Sequence, residues 1–154
     1  TVEHSHSGFN AFRHHLLRYR TASRPGLYGE MVPNLVTARA ILDSVREGRI
    51  DVGPLDAYWH LLIAKHNPTL TAGVRVLDST EVATIPAFVT AANTPASTIN
   101  ALRHAFVNAC RHPWFREYAD TLLIEGFAAV DTPDYARTLE WDSAAKAAGY
   151  AYPA

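Results

Sequence analysis

Through about residue 90, this chain alternates short apolar runs with stretches whose apolar positions recur at steps of three and four. That alternation constrains the fold more than any other feature. Short strands separated by amphipathic helices imply βαβ units and a mainly parallel sheet, covered on both faces. The strand candidates are residues 31–36 (weakened by Pro33), 50–53, 73–77 and 85–90. Between them the spacing predicts helices over residues 9–20, 38–47 and 57–66. Ile41, Leu42 and Val45 form the inner stripe of the second helix, with Thr37 as its N-cap and Gly48 just past its end. From Pro95 onward the pattern is helical only, over residues 97–111, 114–124 and 134–148, interrupted at Gly126-Phe127. Trp114, Phe115 and Tyr118 fall at helical spacing and are expected on the inner face of a helix pair. The expected fold class is therefore α/β: a parallel or mixed sheet flanked by helices over residues 1–90, with a C-terminal helical segment, 91–154, packed on it.

A length of 154 residues with 48% hydrophobic content suffices for one sizeable core. Net charge is −1 with only 19% charged residues, which offers no nucleic-acid footprint and no polybasic membrane patch. No apolar run reaches the ~18 residues of a membrane span. The single Cys110 excludes an internal disulfide.

Two stretches carry chemistry. In the first, a short extended lead-in (residues 1–3) turns through His4, Ser5, His6, Ser7 and Gly8 into the helix that contains Phe9 and Asn10. Ser7 sits where an N-cap belongs, and Gly8 admits close backbone approach. Serine hydroxyls, free backbone N–H groups and the positive end of a helix dipole make an anion pocket; the plainer reading is a capped loop. In the second, residues 45–59, a helix ends at Gly48, a brief strand follows, and Asp56 lands at its carboxyl end, the edge where open α/β sheets bind ligands. Beside Tyr58 and Trp59, Asp56 is placed to receive an amine or hydroxyl, or simply to cap the next helix. His4 and His6 alternate on an extended segment and with a third donor could hold zinc. No such donor follows at suitable spacing, so no metal or cofactor is expected, and His6 reads better as a wall of the anion pocket. His60, His66, His104 and His112 are scattered. No nucleophile elbow, phosphate loop, paired thiols or dinucleotide fingerprint is present, so no catalysis is expected.

Taken together, Ser5-His6-Ser7-Gly8-Phe9-Asn10-Ala11-Phe12-Arg13 and Ser44-Val45-x-x-Gly48-Arg49-x-Asp51-Val52-x-x-x-Asp56 resemble the loop-and-helix and the helix–Gly–x–x–Asp–x–x–x–x–Asp signatures of the solute-binding proteins of phosphate, phosphite and phosphonate ABC transporters. The run from Leu77 to Pro86, Gly126-Phe127 and Tyr135 fall where that family has similar residues. The resemblance implies a two-lobed, type II periplasmic-binding-protein fold that closes on a small oxyanion without transforming it, docks on a transporter permease and works in the periplasm, with no signal peptide in this chain. It also implies ligand contacts from Ser5, His6, Ser7, Gly8 and Asn10, with Asp56 and Tyr58 facing the ligand's other substituent. Family members are about twice this long. The chain is therefore expected to be a second lobe plus closing segment, with the first lobe absent and the uncovered face inviting a homodimer. One departure matters: where many relatives carry Gly-x-His, this chain reads Val36-Thr37-Ala38-Arg39, and a cationic Arg39 suggests a more acidic ligand, or is merely a solvated helix residue. The alternatives are a small metal-dependent enzyme built on His4 and His6, or a non-catalytic remnant that dimerises.

Overall fold

The computed structural model describes residues 5–153. The expected lead-in strand and His4 lie outside these. Among the described residues there is no sheet; the one ladder-type pairing is an isolated bridge between Thr21 and Arg24. The α/β expectation is corrected accordingly, to a helical chain joined by long extended segments. The reason lies in where the backbone donors go. Over 31–36, Pro33 has no N–H, Asn34 turns left-handed (φ +65°), and the Val36 N–H closes locally on the Asn34 carbonyl at 2.9 Å. At 50–53, the Ile50 N–H is drawn back to the Ser44 carbonyl (3.3 Å), and at 73–77 the Val74 N–H bonds Thr71 (3.3 Å). Runs that look like strands are thus extended coil, and several of their apolar side chains, Val76, Leu77, Phe88 and Val89 among them, stay exposed.

The chain divides into two compact units, one formed by residues up to Thr84 together with those from Pro133, the other by Ile85–Thr132.

In the first unit, the opening helix begins two residues earlier than its sequence suggests. Ser5, not Ser7, is the cap: its backbone is extended and its Oγ accepts the Gly8 N–H at 3.0 Å. The Phe9 and Asn10 amides both reach the Ser5 carbonyl, so the first turn, His6–Asn10, is a π turn. It runs directly into α1 (Ala11–Leu16) and a 3₁₀ turn, Leu17–Tyr19. Thr37 caps α2 (Ala38–Arg46) through the Ala40 N–H, and Ile41 and Leu42 face inward. α2 ends as a glycine-closed turn: Gly48 has φ +69° and the Arg49 N–H meets the Ser44 carbonyl at 2.9 Å. Asp56 caps α3 (Ala57–His66), accepting the Trp59 N–H at 2.7 Å; no residue of this helix is buried. The last helix of the chain, Ala136–Ala147, belongs to this unit and buries Thr138, Trp141 and Ala145.

α1 and that last helix pack together, and a buried guanidinium ties them. Arg13 donates to Asp142, to Asn10 Oδ1 at 2.8 Å and to the Ala151 carbonyl at 2.9 Å, and it lies over the Phe9 ring at 4.4 Å. The Asn10 amide in turn donates to the Thr138 carbonyl. Arg20 makes a second clasp, on the Pro25 and Ala148 carbonyls and over the face of fully buried Tyr150 at 4.3 Å.

The second unit holds α4 (Ala96–Asn108), a 3₁₀ turn Ala109–Arg111, and α5 (Pro113–Leu122), which starts with proline at its first position. It carries a phenylalanine cluster around buried Phe115: exposed Phe88 stacks on Phe106 at 4.8 Å, and Phe106 and Phe115 both pack against Phe127. Of the three aromatics expected on an inner face, only Phe115 is buried. Trp114 and Tyr118, one turn apart with their rings 6.2 Å from each other, stay 57% and 56% exposed. α5 ends on Leu123 in the left-handed conformation (φ +55°). In the numbering used below, the Ala136–Ala147 helix is α6. No helix among the described residues is long and apolar enough to cross a membrane.

Candidate functional site

The sequence-predicted ligand residues stand at three helix starts in the first unit. Ser5 and Gly8 are joined in the opening turn by the capping bond, with His6 and Ser7 exposed beside them. His6 Nδ1 comes to 3.5 Å from Thr138 Oγ1. Asn10, one turn on, is buried with its side chain committed to Thr138 and Arg13. Arg39 lies in the first turn of α2, more than half exposed, with its Nε on Asp43 Oδ2 at 2.7 Å. Asp56 caps α3 at the surface, and Tyr58 follows two residues later.

The two informative stretches do meet, through other residues. A half-open cavity of about 720 Å³ lies between Phe9 and Phe12, the extended segments 28–35 and 49–54, Ile41 of α2 and Pro153. Ser5, His6, Ser7, Gly8, Asn10, Arg39, Asp56 and Tyr58 are not among its walls. Phe12 stacks against Tyr28 at 6.3 Å, and desolvation there pushes the Tyr28 phenol above its usual range. Gly53 is required by the wall: a Cβ there would come within 2.7 Å of Ile41 Cγ2 and 3.3 Å of Ile50 Cδ1. Glu30 and Asp51 are the carboxylates of the lining and Arg49 its cation. In the sequence Asp51 stands out only as part of the family-like signature, and Glu30 does not stand out at all. The turn residues Gly29, Pro33 and Pro54 were the available signal that these segments curve around something rather than pair.

Elsewhere in this unit, buried His15 places Nε2 at 3.0 Å from Asp78 Oδ2, which also accepts the Tyr19 hydroxyl at 2.7 Å. The Tyr19 hydroxyl, the Ser79 amide and His15 together hold the Asp78 carboxyl below its ordinary range. The same hydrogen bond to Asp78 raises the Tyr19 phenol. Lys146 first, then Arg13, lowers Asp142. Tyr150 is raised by burial and by neighbouring Tyr28, against the pull of Arg20. Among the described residues no three His, Cys, Asp or Glu side chains come together as a metal-ligand set.

A family model described as that of the phosphonate ABC transporter's periplasmic substrate-binding protein matches residues 1–135, a span that takes in every candidate residue above and stops just before α6. Neither a curated protein nor a solved structure matches the chain.

Proposed function

The chain belongs to the family of phosphonate ABC-transporter periplasmic substrate-binding proteins, and we propose that it serves as a solute-binding component for a small phosphonate- or phosphate-like oxyanion. The observation that carries this reading is the family match itself, which runs through both informative stretches. Members of the family bind and deliver a transporter's substrate and are not enzymes.

In this reading the opening turn holds the anion: the Ser7 hydroxyl and the exposed His6 imidazole stand at the positive end of the helical run from His6 to Tyr19, on a turn that Ser5 and Gly8 close with their capping bond. Asn10 supports the turn from behind, through its bonds to Thr138 and Arg13. Arg39 adds a cation, while Asp56 and Tyr58 meet the ligand's non-anionic substituent. The corresponding partner is a transporter permease and the corresponding place of work is the periplasm.

Isothermal titration with methylphosphonate, phosphite, phosphate and acetate tests the reading. Saturable heat from at least one phosphorus oxyanion, weakened by Ser7→Ala, supports it. A folded sample, verified by circular dichroism, that gives no heat with any of the four refutes it.

A further inference from the structure

The aromatic cavity is a second, chemically different site. Its volume of about 720 Å³ lies inside the ~300–1,000 Å³ range of small-molecule pockets. Phe12 and Tyr28, stacked on each other at 6.3 Å, line it together with Phe9 and Ile41 and give it a broad apolar wall. Its charge is unbalanced in one direction. Arg49, the cation of the lining, is already matched by Glu47, whose carboxylate accepts from its Nε at 2.8 Å. Glu30 and Asp51 have no hydrogen-bond or ion-pair partner among the described residues. Aromatic faces attract cations through the ring quadrupole, and two uncompensated carboxylates add to that attraction while repelling anions.

We infer that this cavity binds an organic ammonium ion with an apolar body, the charge met by Glu30 and Asp51 and the body laid against Phe12 and Tyr28. The site shares no residue with the oxyanion site proposed above, so either can fail without the other.

The test is calorimetric titration of the full chain, near neutral pH, with phenethylammonium, its neutral analogue 2-phenylethanol and the anion phenylacetate. Phenethylammonium is expected to bind, 2-phenylethanol roughly tenfold more weakly, and phenylacetate not measurably. Glu30→Gln and Asp51→Asn should each weaken phenethylammonium by about three- to tenfold, as expected for loss of a hydrogen bond to a charged group at a half-open site. Phe12→Leu should weaken it by about two- to fivefold. Ser7→Ala should leave phenethylammonium unchanged while acting on methylphosphonate, which separates the two sites in one sample. The inference is overturned by equal affinity for the ammonium and the alcohol, by carboxylate variants that keep full affinity while remaining folded, or by the absence of phenethylammonium binding.

Discussion

Removal of the Arg13 guanidinium should strongly destabilise the first unit at the α1–α6 interface. In Arg13→Leu, Asn10 Oδ1 and the Ala151 carbonyl lose their donor. An unsatisfied buried acceptor costs about 1–3 kcal/mol, and loss of the cation over Phe9 adds about 1–2 kcal/mol. Asp142 suffers less, because it keeps Lys146 at 2.6 Å and is partly open to water. Of the two acceptors Asn10 Oδ1 is the buried one, so the expected loss is about 2–5 kcal/mol. Asp142→Ala should cost a comparable amount for the opposite reason: it leaves a buried guanidinium, whose Nε already lacks a partner among the described residues, without its counter-ion. The double variant should then cost well below the sum, with a coupling of about 2 kcal/mol. Urea unfolding followed by far-ultraviolet circular dichroism reads all three variants, with the m-values checking that the denatured states match. The depressed pKa of Asp142 adds a pH signature. Its contribution is full above the unfolded carboxyl pKa, near 3.8, and is lost as the pH falls through the lower folded value. Arg13→Leu should shrink that acid limb. Additivity of the two single changes within about 0.5 kcal/mol would refute the picture of a coupled buried pair.

Leu123 ends α5 with φ +55° in a turn where the Ile124 N–H closes on the Ala119 carbonyl at 3.1 Å, and Leu123→Gly should stabilise the second unit by about 1 kcal/mol, seen as a higher urea midpoint. Gly53→Ala should destabilise the first unit by about 1–3 kcal/mol, since Ile41 or Ile50 must move; an unchanged thermal midpoint would mean that the wall yields freely. The Tyr19 phenol should titrate above 10.0 by ultraviolet absorbance and fall back towards it in Asp78→Ala. Because a raised folded pKa stabilises fully below the unfolded one, this contribution should vanish as the pH rises through the folded Tyr19 value.

The helices were legible because their signals are local. Thr37 and Asp56 each cap the helix that follows, Gly48 sits just beyond α2, and Ile41 and Leu42 face inward as their spacing requires. The strands were misread because a run such as 31–36 satisfies the pattern of a strand without containing its partner. Whether a ladder forms depends on donors elsewhere, and here Pro33, the left-handed Asn34 and local turn bonds consume or remove them. Ser7 sits at the expected cap position, but the π turn puts the cap at Ser5, two residues back. At the site, Ser5, Ser7 and Asp56 could be singled out from motif spacing, whereas the cavity could not. Glu30 and Asp51 are 21 positions apart in sequence, and nothing short of the folded chain brings Phe12 and Tyr28 face to face beside them.

The first unit is closed by residues from its two sequence extremes, with Arg13 on Ala151 and Arg20 on Ala148 across separations of 138 and 128 positions. Arg13 and Arg20 therefore meet these partners only once residues 148–151 are also in place. The intervening segment, Ile85–Thr132, has all its own contacts in hand well before then. Closing so long a loop is slow, so the opening helix and its counterpart are expected to be the last parts of the first unit to set.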